Sequence, residues 1–145
     1  HIGPLGRVLN LSSAAQQPIQ LQALMHPGTS LSDMAAYAQS KLALPLWSCH
    51  LGRTLSDQGP CIVAIIPGSM LGTKMVQDAF GVAGGDVTIG ARVLVRAALS
   101  EEFAGAFGAY FDNDRRQFAP PHPDALHESK CAELLRALDA WLDDA

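Results

Sequence analysis

Basic residues are scarce in this chain: 10 Lys and Arg stand against 14 Asp and Glu in 145 residues, for a formal net charge of −4. They form no cluster, so the electrostatic footprint needed to hold a phosphate backbone is missing and no nucleic-acid partner is expected. Long apolar runs are also missing. None approaches the roughly 20 residues needed to cross a bilayer, so no membrane span is expected. Cysteine is sparse: Cys49, Cys61 and Cys131 are odd in number and far apart in sequence. That pattern argues for free thiols in a reducing, cytoplasmic setting rather than for a disulfide framework. The opening residues His1-Ile2-Gly3-Pro4 carry neither the basic region nor the apolar core of a signal peptide. The chain does not open on Met, and its start is read as a fragment boundary.

What is present is globular in character. Apolar residues make up 48% of the chain and charged residues 17%, which suits one packed domain, here residues 1–145, rather than a disordered segment. Strand-like stretches alternate with helical ones. Arg7-Val8-Leu9-Asn10-Leu11-Ser12 reads as a short buried strand near 7–12. A loop rich in turn residues follows, with one helical turn near Leu21–Met25. Ser30 and Ser32 are suitable N-caps for a helix over 33–55, and Pro45 inside it withholds a hydrogen bond from the Lys41 carbonyl and should bend it. Cys61-Ile62-Val63-Ala64-Ile65-Ile66, continuously apolar and stopped by Pro67-Gly68, suits a parallel strand buried on both faces. A lid-like segment with one short helix covers Gly72 to Ala83.

Further along, a helix is expected over 86–99 with Val87, Gly90, Ala91, Leu94 and Ala98 on its apolar face. A third strand is expected near 108–112, and a last helix over 129–143, capped by Ser129, with Ala132, Leu135, Leu138 and Leu142 inward. The order implies an α/β fold with a parallel sheet covered on both faces. About three strands make a small sheet, as if it were part of a larger one. His122, His127 and Cys131 match no standard zinc spacing and read as a loop running into a helix, so no metal is expected.

The chemically informative stretch is Tyr37-Ala38-Gln39-Ser40-Lys41. Residues four apart lie on one helix face. An ammonium beside a phenol favours the phenolate, so such a pair can move a proton as alcohol–ketone interconversion requires. The spacing alone is more often a half-buried aromatic beside a solvated lysine. The setting is what raises it: Asn10-Leu11-Ser12-Ser13 ends one strand and Ile66-Pro67-Gly68 ends the next on the same side.

This set, with Gly6-Arg7-Val8-Leu9-Asn10-Leu11-Ser12-Ser13-Ala14 and Tyr-x-x-Ser-Lys-Leu-Ala at 37–43, resembles the short-chain dehydrogenase/reductase family from Gly6 to about Asn113. The 24 residues between Ser13 and Tyr37 resemble the retinol-dehydrogenase-like branch, which carries an insertion here. The resemblance implies the C-terminal catalytic part of a Rossmann-type doubly wound sheet, lacking the N-terminal dinucleotide-binding half. It implies an oxidoreductase using NAD or NADP. Ser13 would hydrogen-bond the substrate oxygen, with Ser12 as the fallback. Tyr37 would be the general acid/base, and Lys41 would favour its phenolate and hold the nicotinamide ribose. Pro67 and Gly68 would shape the nicotinamide wall, and Thr73 would face the carboxamide. Thr73 stands one residue further from the Pro than in the usual pattern.

The family's Gly-rich pyrophosphate turn after a first strand has no counterpart. Gly81-Val82-Ala83-Gly84-Gly85 follows Phe80 in a loop and reads as a flexible joint. The alternative reading is a non-catalytic remnant or interaction module of the same fold. A serine hydrolase is excluded because Gly68-Ser69-Met70-Leu71-Gly72 is not a nucleophile elbow. Leu21, Leu24, Met25, Met70, Leu71, Met75 and Phe80, in the loops expected to form the substrate pocket, suggest a small hydrophobic alcohol or ketone. The resemblance also implies a homodimer through the helix 33–55, and the absent half implies an unpaired edge on the strand 7–12.

Overall fold

A computed structural model describes residues 6–26 and 28–143. The fold is mixed α/β: a small, mostly parallel four-stranded sheet flanked by helices. The strands are β1 (Arg7–Leu11), β2 (Cys61–Ile66), β3 (Ala109–Asp112) and β4 (Gln117–Phe118), in the spatial order β1-β2-β3-β4. The helices are α1 (Leu21–Met25), α2 (Asp33–Leu55), α3 (Lys74–Phe80), α4 (Thr88–Leu99), α5 (Pro123–Leu126) and α6 (Glu128–Asp143). β1 pairs with β2, and β2 with β3, both in parallel, with Arg7 opposite Cys61 and Val63 opposite Ala109.

β2 explains the layering. All six of its residues are buried, as its unbroken apolar run requires. Successive side chains alternate between the faces. Cys61, Val63 and Ile65 meet Val93 and Ala97 of α4 with Phe103 and Phe111. Ala64 and Ile66 pack on the other face with Tyr110. α2 lies across that second face, and its Leu42, Leu46 and Cys49 join Ala125, Cys131 and Leu134 in a further core between α2, α5 and α6. The three cysteines are free and buried. Burial pushes the Cys49 thiol up to about 11, against the opposing pull of Arg53, so the thiol form is favoured.

The two parallel pairings follow the expected pattern, but the sheet does not stop at three strands. β4 pairs antiparallel with β3, Phe111 facing Phe118. The turn between them is made by side-chain chemistry: an Asp112 carboxylate oxygen accepts from the N–H groups of Asp114 and Arg115, and Arg116 takes a left-handed conformation at φ 57°. Asp-Asn-Asp is a good turn former, but a strand of two residues leaves almost no apolar pattern.

Two helix faces are also rotated from expectation. α4 buries Gly90, Val93 and Ala97, while Val87 is exposed. Its face is set by Leu71, which presses on Gly90 where a Cβ would stand 2.7 Å from the leucine methyl, and by Arg96, whose guanidinium lies 5.1 Å from the Phe111 ring centre. α6 buries Cys131 and Leu134, leaving Leu142 exposed. It begins at Glu128, so Ser129 sits inside its first turn rather than capping it. α4 begins at Thr88 rather than at 86, because the Asp86 carboxylate takes both the N–H and the hydroxyl of Thr88; these bonds hold the Asp86 carboxyl below its ordinary range. α5 is an additional turn of helix, started by Asp124 N–H donating to His122 Nδ1. Among the described residues no cluster of His, Cys, Asp and Glu could hold a metal ion, and no helix is long and apolar enough to cross a membrane.

α2 can lie close to the sheet only because of a glycine contact. A Cβ on Gly52 would stand 2.0 Å from the Gly108 nitrogen. Gly108 itself has φ 71° and its N–H donates to the Ile62 carbonyl. Gly52→Ala is expected to destabilise the fold by about 3 kcal/mol, the upper end for overpacking, because backbone rather than a side-chain tip must move. Urea unfolding of the two forms measures it; a loss under about 0.5 kcal/mol, the range of an ordinary surface change, would contradict this packing.

β1 is an edge strand in the described sheet, half-buried along its length, with Leu11 41% exposed. An uncovered edge is a template for another chain. The weight-average mass in sedimentation velocity should therefore rise with protein concentration. A mass that stays monomeric into the high micromolar range would show the edge to be protected.

Candidate active site

The carboxyl ends of β1 and β2 open into one cavity of about 550 Å³. Its wall carries Ser12, Ser13, Tyr37, Lys41, Pro67, Gly68 and Thr73 together. Residues separated by up to 61 positions thus reach one place, because β1 and β2 are parallel neighbours and α2 crosses between their ends. Ser32 starts α2 by accepting from the Ala35 N–H. This sets the helix phase that turns both Tyr37 and Lys41 to the cavity. The Lys41 ammonium lies 5.6 Å from the centre of the Tyr37 ring and donates to the Leu11 carbonyl at 3.0 Å.

The two serines differ. Ser12 is buried, and its hydroxyl donates to the Lys41 carbonyl at 2.7 Å. Ser13 is half-buried, and its oxygen accepts from the Ala15 N–H at 3.2 Å, which leaves its proton available to donate into the cavity. Thr73 lines the cavity and also caps α3 by accepting from the Val76 N–H.

Beneath these groups runs a polar network that the sequence pattern did not reveal. The Gln16 side-chain amide donates to Ser12 Oγ at 3.3 Å, to the Ser13 carbonyl at 2.8 Å and to the Tyr110 hydroxyl at 2.9 Å. Burial pushes the Tyr110 phenol up, with the Gln16 bond acting against it. The second tyrosine is therefore a fixed structural acceptor, and Tyr37 is the one that lines the cavity. A lone Gln in a loop carries no motif, so only the fold discloses it.

The lid is built from residues 68–85. Gly72 N–H donates to the Gly85 carbonyl, and Gly85 N–H to the Met70 carbonyl, each at 2.7 Å. Ser69 donates from its N–H and its hydroxyl to the Asp114 carboxylate, and Asn113 donates to the Pro67 carbonyl at 2.8 Å. The β3–β4 turn thereby holds the lid's first residues, a role that sequence reasoning missed. Met34, Met70, Leu71, Met75 and Phe80 face the cavity. Of the other residues expected in an apolar pocket, Leu21 packs against the α2–α6 core instead, Met25 is not in the wall, and the side chain of Leu24 lies outside the described residues. The Gly84–Gly85 pair closes the lid as a tight joint: a Cβ on Gly84 would meet the Gly72 Cα at 2.6 Å.

Comparison with known proteins follows this geometry. The chain is 28% identical over 155 residues to human retinol dehydrogenase 13, covering 96% of this chain and 44% of that protein. It superimposes on the crystal structure of an uncharacterised protein from Mycobacterium paratuberculosis with a TM-score of 0.66 at 26% identity, covering 91% of this chain and 48% of that one. No family model matches. The chain bears a remote resemblance to the short-chain dehydrogenase/reductase fold and spans less than half the length of either relative.

Gly84→Ala is expected to open the lid, since the residue has φ 72° and no room for a side chain. Hydrogen exchange at the Gly72 and Gly85 amides should then speed up by at least about tenfold, an amount that corresponds to a local loss near 1.4 kcal/mol. Unchanged protection there would mean the glycine contact does not hold the lid.

Proposed function

We propose that this chain carries the catalytic part of an NAD(P)-dependent oxidoreductase of the short-chain dehydrogenase/reductase type, interconverting a small hydrophobic alcohol and its ketone. The observation that carries the reading is the meeting of Ser13, Tyr37 and Lys41 at one cavity wall beside Pro67 and Gly68. In this reading the sheet is part of a Rossmann-type doubly wound sheet, whose ligands bind beyond the carboxyl ends of the strands.

Each residue has a task set by its place. Ser13 donates its hydroxyl proton to the substrate oxygen. Tyr37 gives a proton to that oxygen during reduction and takes it back during oxidation. The Lys41 ammonium stabilises the negative charge that develops on the Tyr37 oxygen as the proton leaves. Met34, Met70, Leu71, Met75 and Phe80 supply an adaptable apolar surface that suits a hydrophobic substrate.

A nicotinamide cofactor, when bound, supplies the hydride. The residues present fit its nicotinamide end. Lys41 can hold the ribose hydroxyls, Gly68, with φ 141°, lets backbone approach a flat ring, and Thr73 retains a hydroxyl proton beyond its capping role. None of the described strands runs into a Gly-rich turn and helix that would seat a pyrophosphate. The second reading is a non-catalytic interaction module of the same fold, and cofactor affinity is the measurement that discriminates the two. A homodimer through α2 would use the part of that helix left by the sheet and by α5 and α6, where Leu44 and Trp47 are half-buried.

Turnover is measured with NADH or NADPH and apolar ketones, and binding by fluorescence titration. Tyr37→Phe is expected to lower kcat by at least about 100-fold, the usual span of general acid–base catalysis, while cofactor affinity changes little. An active Tyr37→Phe variant would sink the assignment. The 145-residue chain alone should bind either cofactor more weakly than micromolar, and tighter binding would show that a pyrophosphate cradle is dispensable.

A further inference from the structure

Pro45 sits in the middle of α2 and is fully buried. Having no N–H, it cannot donate to the carbonyl four residues back, which belongs to Lys41. That carbonyl receives another donor: the Ser12 hydroxyl, 2.7 Å away. Ser12 is only 4% exposed, so water has little access to take its place. The neighbouring residue of β1 completes the hold, because the Leu11 carbonyl accepts from the Lys41 ammonium at 3.0 Å. Lys41 is therefore gripped by its main chain and by its side-chain tip, from two consecutive residues at the end of one strand. Ser12 is in turn held by the Gln16 amide, which is anchored on Tyr110 of β3.

We propose that Pro45 and Ser12 act as one device. Pro45 withholds a helical hydrogen bond, Ser12 takes over the freed Lys41 carbonyl, and the Tyr37–Lys41 turn of α2 is thereby fixed against the end of β1. Ser12 is a positioning residue for Lys41, acting through its backbone, and Ser13 is left as the strand-end hydroxyl facing the cavity. This deepens the oxidoreductase reading, since it names what places that site's lysine, but the contacts that carry it require no activity. The physical logic is one of compensation. A buried carbonyl without a donor is costly, and an ordinary residue at position 45 would supply the donor from within the helix.

The test is a double-mutant cycle on the full chain with Ser12→Ala, Pro45→Val and the pair together. In urea unfolding, Ser12→Ala alone should lower the folded-to-unfolded ratio by about tenfold, the scale of one orphaned buried acceptor. In the Pro45→Val background the same change should cost less than about threefold, because the new N–H takes the carbonyl. Equal costs in the two backgrounds overturn the proposal.

The second readout is acetylation of Lys41, followed by mass spectrometry with Lys74 and Lys130 as internal references. Ser12→Ala should speed Lys41 modification several-fold relative to those two, and adding Pro45→Val should restore the slow rate. An unchanged Lys41 rate in Ser12→Ala also overturns it. If Ser12→Ala fails to fold, the double variant should fold; failure of both shows a need for Ser12 unrelated to Pro45 and rejects the device. The cycle and the Tyr37→Phe assay fail independently. Coupling with turnover intact in Tyr37→Phe upholds the device and removes the oxidoreductase reading; additivity with turnover abolished does the reverse.

Discussion

The seating of α2 on the carboxyl end of β1 is the constraint on which the rest of the structure depends. Three polar bonds make it: Asn10 to Ser48 at 2.8 Å, Ser12 to the Lys41 carbonyl, and Lys41 to the Leu11 carbonyl. Alternation along β1 aims Asn10 and Ser12 at α2. It aims Arg7 and Leu9 at the opposite face, where Arg7 donates to the Ala97 and Ser100 carbonyls at the end of α4. A cation at a helix C-terminus complements the carbonyls exposed there. One edge strand of five residues thus fastens the helices on both faces of the sheet.

The same seating unites the core with the cavity. The glycine contact that lets α2 approach β3, at Gly52, and the Ser12 bond that registers it on β1, at Lys41, lie 11 residues apart on one continuous helix. Between them Leu42 and Leu46 are buried, so the apolar face and the cavity-facing residues share one helical phase. The lid is organised differently, by short backbone pairs and by the β3–β4 turn rather than by a large apolar core. Such a segment can open locally at lower cost than the sheet.

The polar groups around the cavity are arranged in two layers. Ser13, Tyr37, Lys41 and Thr73 line it. Gln16 and Tyr110 lie beneath and are mutually bonded, with burial holding the Tyr110 phenol up. Buried polar groups that are satisfied in this way fix geometry, and the layer beneath would keep the lining groups in place through changes at the lid.

The strong periodic signals in the sequence determined most of the framework. β2 was legible because an unbroken β-branched run has one comfortable place, the middle of a covered parallel sheet. α2 was legible from its Ser32 cap and its length, and Ser13, Tyr37 and Lys41 were singled out by the family resemblance that their motifs and the neighbouring strand ends carry. Tertiary structure decided what those signals could not contain. The rotation of α4 follows from Leu71 against Gly90 and Arg96 over aromatic rings, contacts across long separations. β4 exists because an Asx turn brings two residues back onto β3, too few to carry a pattern of their own. Gln16, Asn113 and Asp114 acquire their partners only when the β1, β2 and β3 ends gather at one edge. The bond from Ser12 to Lys41 is the clearest case. A proline in a helix announces that one carbonyl will lack its donor, but which distant hydroxyl replaces it depends on a packing distance that local sequence does not encode.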